Sequence, residues 1–332
     1  MTPSRETVFI TGASGFIGTN LIHSLIADGI PVINYDKTAP LDETLMPFWV
    51  EGNIRDADTL QRALIDARPQ YVIHLAARTD CVETITVEEG YRDNTDGTQN
   101  VLDAIACDPE IEHAIITSSQ YVVGPQHGLP KHDEDYGPHT VYGHSKVITE
   151  QLTRAATLPC PWTLVRPANI WGPWHMRYRS EFWRIAAKGL YMHPGRAPVV
   201  RTYGYVGNVV AQLRAILAAE REQVDGKTFY VGDLPDDIFG WTDAFCRALT
   251  GKPARVVPRF ILRTLGWTGD VAKRVGLPFP ITSSRFQNMI GAYPTPMQET
   301  WDVLGTPPYS LEEGVAATVD WLNSYNATHG NP

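Results

Sequence analysis

Thr11-Gly12-Ala13-Ser14-Gly15-Phe16-Ile17-Gly18, or TGASGFIG, follows directly on the apolar run Val8-Phe9-Ile10. Glycine has no Cβ, so it permits a tight turn and lets another group come close to the backbone. Downstream, Phe16, Ile17, Leu21, Ile22, Leu25 and Ile26 recur at helical spacing, which places the glycines at a strand-to-helix turn. The start of such a helix offers free N–H groups and the positive end of its dipole, and a pyrophosphate fits that requirement.

Working outward, Pro31 to Tyr35 is extended again and completes a βαβ unit that ends at Asp36. A carboxylate at the end of the second strand binds ribose hydroxyls and repels the extra phosphate of NADP. The pattern therefore predicts NAD, with Lys37 beside Asp36 tempering the exclusion. Phe48 to Val50, a helix around Asp56 to Asp66, Tyr71 to Leu75, a helix near Gly97 to Ala106 and His113 to Thr117 continue the alternation. Strands that are apolar throughout and separated by helices imply an α/β fold with a doubly wound parallel sheet.

After Arg166 prolines, tryptophans and short elements dominate, apart from a helix through Val209, Val210, Leu213, Ile216 and Leu217. The expected organisation is a dinucleotide-binding domain over 1–170 and a smaller, mainly substrate-binding domain over 171–332. A strand near 227–232 is expected to return to the first sheet. Trp301 to Trp321 reads as terminal packing helices.

The chain has 332 residues and a formal net charge of −9, with no basic run, which argues against nucleic acid as a partner. Cys81, Cys107, Cys160 and Cys246 are widely spaced and form no CxxC pair, so neither a metal site nor a disulfide framework is expected. Without a secretory pattern or an apolar run long enough to span a bilayer, the expected location is cytoplasmic, with no membrane partner.

Tyr142 and Lys146 stand four apart, on one face of a helix that begins near Val141. Oxidation of an alcohol needs a base for the hydroxyl proton, and a nearby ammonium favours the phenolate of a tyrosine. Ser118 and Ser119, after the fifth strand, are candidates for a hydroxyl that polarises the reacting oxygen.

Gly52-Asn53-Ile54-Arg55-Asp56, His74-Leu75-Ala76-Ala77, Asn94-Thr95-Asp96-Gly97-Thr98, Thr117-Ser118-Ser119, Tyr142-Gly143-His144-Ser145-Lys146 and Arg166-Pro167-Ala168-Asn169 join the glycine loop as motifs. Together they resemble the extended short-chain dehydrogenase/reductase family, of the NAD-dependent epimerase/dehydratase type acting on sugar nucleotides. The resemblance implies a Rossmann domain, with NAD contacted by Gly12, Ser14, Gly15, Phe16, Ile17, Gly18, Asp36, Asn53, Ile54, Leu75, Ala76, Ala77, Asn94, Tyr142, Lys146 and Pro167. It makes Tyr142 the acid/base, Lys146 its partner and holder of the nicotinamide ribose, and Ser119 the catalytic serine by its distance from Gly124. It places Ser119, Gln120, Asn169 and Arg201 on a nucleotide diphosphate sugar, with Arg285 as a second phosphate contact, and implies a homodimer.

Gln120 and Tyr121 follow Ser119 where 4,6-dehydratases carry a carboxylate, which favours epimerisation at C4 over dehydration. Tyr205-Val206-Gly207-Asn208-Val209 looks more like the 3β-hydroxysteroid dehydrogenase branch, so net oxidation of a sterol or another alcohol stands as the alternative. The cluster Trp171, Trp174, His175, Arg177, Tyr178 and Arg179 fits either a loop over a nucleotide or a lid packed on the core.

Overall fold

The computed structural model describes residues 7–332 apart from Val275, Leu277, Pro278 and Pro280. The chain divides into two compact units. The first comprises residues up to 170 together with 204–233 and 295–308, and the second comprises 171–203, 234–294 and 309–332.

The first unit is built on one parallel sheet of β1 (Val8–Thr11), β2 (Val32–Asp36), β3 (Trp49–Glu51), β4 (Tyr71–His74), β5 (His113–Thr117), β6 (Trp162–Pro167) and β7 (Lys227–Val231). Their order across the sheet is β7-β6-β5-β4-β1-β2-β3. Val8 pairs with Val32 on one side and Tyr71 on the other, so the chain leaves β1 in one direction and returns to its other flank at β4. Every residue of β1 and β5 is buried, because helices cover both faces of a parallel sheet. The doubly wound α/β architecture expected from the alternating apolar runs is the one found. Its strand order reverses between β1 and β4, where such sheets open a crevice at the carboxyl ends of the strands.

The longer helices among the described residues of this unit are α1 (Phe16–Ala27), α2 (Ala57–Ala67), α3 (Asp96–Ala106), α4 (Val141–Ala155) and α5 (Val206–Ala218). Local chemistry sets where they begin. The Asp56 side chain accepts from the Thr59 N–H at α2 and Thr140 accepts from the Gly143 N–H at α4, 3.1 and 2.9 Å away. At α5, the Asp233 carboxylate accepts from the Tyr205 N–H and from Asn208 Nδ2, both at 2.8 Å. Burial nevertheless raises the Asp233 carboxyl to about 6. Arg214 ties α5 to α1 through the Ser24 hydroxyl, 2.8 Å away, and Asp28. A last helix, α6 (Gln298–Leu304), is held by Thr300 Oγ1, which donates to the Tyr230 carbonyl in β7 at 2.6 Å.

The second unit has an aromatic core of its own. Trp171 and Trp183 are fully buried, and Trp171 meets Trp241 and Phe245 edge-on, with ring centroids 6.1 and 5.3 Å apart. The helices Ile238–Thr250 and Leu311–His329 pack together here. Trp301 and Trp321, read from sequence as one terminal packing region, lie on helices of different units.

The three loop glycines serve different ends. A Cβ on Gly12, whose φ is +73°, would stand 2.5 Å from the backbone N and Cα of Ala76, so Gly12 sets how closely the turns after β1 and β4 approach. A Cβ on Gly18 would overlap the Ala13 backbone, so Gly18 seats α1 on its own loop. A Cβ on Gly15 would meet only the Gly12 carbonyl oxygen, at 3.2 Å, and Gly15 is solvent-exposed. We expect Gly18→Ala to cost about 2 kcal/mol or more in urea unfolding, because backbone rather than a mobile side chain must give way. A loss within experimental error would show that the loop relaxes freely.

Candidate active site

At the crevice, three strand ends deliver the residues singled out in the sequence. Gly12 follows β1, Leu75 to Ala77 follow β4, and Ser118 and Ser119 follow β5. The helix α4 crosses them with Tyr142 and Lys146 one turn apart on its buried side. Ser119 is 94% buried and hydrogen-bonds Tyr142, while its hydroxyl oxygen accepts from the Tyr121 N–H at 3.2 Å. The Tyr121 ring meets Tyr142 edge-on, with centroids 5.8 Å apart.

The electrostatics differ from the simple expectation that Lys146 lowers the tyrosine pKa. Burial pushes the Tyr142 phenol above its ordinary value, and Ser119 only partly offsets this. Burial also pulls Lys146 down to about 7, against the attraction of Glu150. Lys146 Nζ donates to the Thr117 carbonyl at 2.8 Å, which anchors the lysine to the end of β5. For both groups burial is the largest cause, opposed by the Ser119 hydrogen bond at Tyr142 and by the Glu150 charge at Lys146.

The two serines divide their work. Ser118 Oγ donates to Glu150 Oε1 at 2.6 Å, whereas Ser119 faces Tyr142. Glu150 and Arg166 are fully buried and doubly paired, with Nε to Oε1 at 2.8 Å and Nη2 to Oε2 at 2.7 Å. Tyr136 donates to Glu150 at 3.0 Å, and Arg166 donates to Tyr230 at 3.1 Å and to the Asp133 carbonyl. Sequence reading does not single out Glu150. The available signal was its place four residues after Lys146, where a further helical turn keeps it on the same buried face.

On the dinucleotide side, α1 begins after Gly15 with no side-chain cap, unlike α2 and α4. An uncapped helix start, led by a solvent-exposed glycine, suits a phosphate. Asp36 accepts from the Ser14 and Thr38 N–H groups at 3.1 and 2.9 Å, and burial raises its carboxyl despite those bonds. Lys37 turns away to Asp93, 2.7 Å off. Asn53 is exposed, its Oδ1 accepting from the Arg55 N–H, while Ile54 is buried against Gly97. Phe16 and Ile17 open α1, half-buried, and Pro167 closes β6.

Asn94 lies at the hub of the loop after β4. Its amide receives the Arg78 N–H at 2.8 Å and donates to the Arg78 carbonyl at 3.0 Å and to Ser145 Oγ at 2.9 Å. It thereby ties that loop to α4. Gln120 is buried beside Ser119, and Asn169, just past β6, is half-buried.

Arg201 belongs to the second unit, where its Nε donates to the Gly291 carbonyl at 2.6 Å. Arg285 lies 3.9 Å from Glu181 in the same unit. The Trp171 to Arg179 cluster is part of that unit's packing. Trp174 meets Trp321 at 5.7 Å, His175 stacks on Tyr178 at 4.2 Å, and Arg179 bonds Asn326 at 2.8 Å. Burial lowers His175 to about 4, which keeps it neutral near pH 7.

A parallel sheet with a glycine turn after β1, and a tyrosine and lysine one turn apart beside a serine after β5, defines a dinucleotide-dependent oxidoreductase-like class. Residues 8–232 match the model of the NAD dependent epimerase/dehydratase family, and the chain belongs to that family. Among curated relatives, it is 25% identical to the N-acetyl-alpha-D-glucosaminyl-diphospho-ditrans,octacis-undecaprenol 4-epimerase of Escherichia coli O157:H7, over 96% of this chain and 95% of that one. It is likewise 25% identical to a dTDP-glucose 4,6-dehydratase of Xanthomonas campestris, over 95% of this chain and 92% of the relative. The crystal structure of the UDP-glucose 4-epimerase of Thermus thermophilus, in complex with NAD, shares the fold at a TM-score of 0.70 and 22% identity, covering 96% of this chain and 99% of that one.

We expect Glu150→Gln to lower stability by roughly 3 kcal/mol in chemical denaturation, because Arg166 would keep its charge in the core with half its partner gone. A near-neutral result would mean that Tyr136, Tyr230 and the Asp133 carbonyl suffice to hold the guanidinium.

Proposed function

We propose that this protein is an NAD-dependent 4-epimerase, or a closely related enzyme, acting on a sugar carried on a diphosphate. The observation that carries the reading is the convergence of Ser119, Tyr142 and Lys146 at the end of β5, in the crevice that also holds the glycine turn after β1. Membership of the epimerase/dehydratase family and the activities named for its relatives support it over a net sterol oxidation.

In this reading Gly15 and the start of α1 receive the pyrophosphate, and Asp36 takes the adenosine ribose. Asn53 and Ile54 border the base, and Ala76 and Ala77 leave room for the cofactor to lie along β4. NAD held by these residues would supply a hydride acceptor and donor, and a positive charge, beside the carbinol carbon.

Tyr142 removes the hydroxyl proton during oxidation and returns it during reduction. Burial holds its phenol protonated in the resting site, so proton removal calls for nearby positive charge, which Lys146 contributes when protonated. Ser119 donates to the reacting oxygen, whereas Ser118 holds the β5 end in place through Glu150. Asn169, Gln120 and the second unit's Arg201 are assigned to the substrate, Arg201 to its diphosphate. The second unit is accordingly the substrate-binding part, and a homodimer in the cytoplasm completes the proposal.

Tyr142→Phe should lower turnover by a thousandfold or more while calorimetric NAD binding persists; turnover within tenfold of the parent would remove Tyr142 from the chemistry. Ser119→Ala should lower kcat about a hundredfold with little loss of stability, and Ser118→Ala the reverse. If the two variants behave alike, the division between the serines is wrong.

A further inference from the structure

The helix Arg259–Arg274 of the second unit has two unlike faces. Leu262, Gly266 and Gly269 are buried, and the glycines bring the helix against the backbone of Ile281 and Ser283. On the far side Phe260, Trp267 and Val271 follow one another at i, i+7 and i+11, and they are 64%, 66% and 43% exposed. Single exposed apolar residues are ordinary, but two large aromatics and a valine in one row form a surface. Arg263 and Arg274 lie on the same half of the helix and are also exposed.

Charge sets this region apart from the rest of the chain. The whole sequence carries 28 basic and 37 acidic residues, yet between 247 and 298 there are eight Lys and Arg and a single acid, Asp270. Asp270 accepts from the Ser283 N–H at 3.1 Å, which commits it to the loop under the helix. No contiguous basic run marks this excess, so it escapes a scan for charge blocks.

We propose that this face docks on a membrane surface rich in anionic lipid, with Phe260 and Trp267 entering the headgroup boundary and Arg263 and Arg274 pairing with lipid phosphates. Aromatic residues in a row, flanked by guanidinium groups, are the chemistry of an interfacial helix. A second copy of this chain is a poorer occupant, because two-fold pairing would set like charges of the arginines against each other. The net negative remainder of the chain is repelled by the same surface, so the docking is oriented. No helix among the described residues is long and apolar enough to cross a membrane, so the attachment is peripheral. The sequence reading expected no membrane partner; the proposed contact is peripheral and does not depend on the proposed reaction.

The test is flotation of the full-length protein with phosphatidylcholine vesicles, with and without phosphatidylglycerol. We expect binding to the phosphatidylglycerol vesicles that weakens at least about tenfold in Phe260→Ser/Trp267→Ser, in Arg263→Glu/Arg274→Glu, and in about 0.5 M salt. All four side chains are exposed, so melting temperature and turnover should stay at parent values and serve as the folding control. Failure to float with phosphatidylglycerol, equal binding to pure phosphatidylcholine, or variants that float like the parent would overturn the proposal. So would a dimer-to-monomer change in the variants with flotation unaltered, which would make the face a protein interface.

Discussion

Two ionised side chains withdrawn from water, Glu150 on α4 and Arg166 on β6, hold the chemical end of the first unit together. Neither tolerates the loss of the other, because an unpaired charge in a low-dielectric interior is far more costly than the pair. Each also reaches beyond its partner. Glu150 receives the Ser118 hydroxyl and so fixes the residue next to Ser119. Arg166 receives Tyr230 as an acceptor and so joins β7 to the same point. One turn earlier on α4, Lys146 fastens itself to the Thr117 carbonyl. The candidate site is thus suspended between the end of β5 and a single buried helix face.

The dinucleotide side depends on a steric constraint instead. Gly12 and Gly18 are required by the backbones of Ala76 and Ala13, whereas Gly15 is solvent-exposed and a Cβ there would meet only the Gly12 carbonyl oxygen. The motif is therefore less uniform than its spelling suggests. Two of its positions are fixed by backbone packing, and the third, Gly15, faces solvent at the start of α1.

The second unit follows another logic. Its core is a nest of tryptophans, tyrosines and phenylalanines around Trp171, Trp183, Trp241 and Phe245, with the helix Leu311–His329 closing one side through Trp321 and Tyr325. The aromatic and basic residues after β6, which in sequence fit a nucleotide-binding loop as well as a packed lid, are spent largely on this core. Arg179, for example, lies over the Tyr325 ring at 4.9 Å.

The sequence by itself determined the parallel sheet, its strand positions and the dinucleotide turn. Each rests on local periodicity and on glycine spacing, which neighbouring residues in the chain decide. It also marked Tyr142 and Lys146, since one helical turn separates them. Only the tertiary structure decided how Ser118 and Ser119 divide, because that depends on Glu150, 32 residues away. It alone brought residues 295–308 into the first unit, through contacts such as Thr300 with Tyr230 that no local pattern encodes. The direction of the Tyr142 and Lys146 shifts was likewise settled by burial, a property of the packed molecule that the four-residue spacing does not encode.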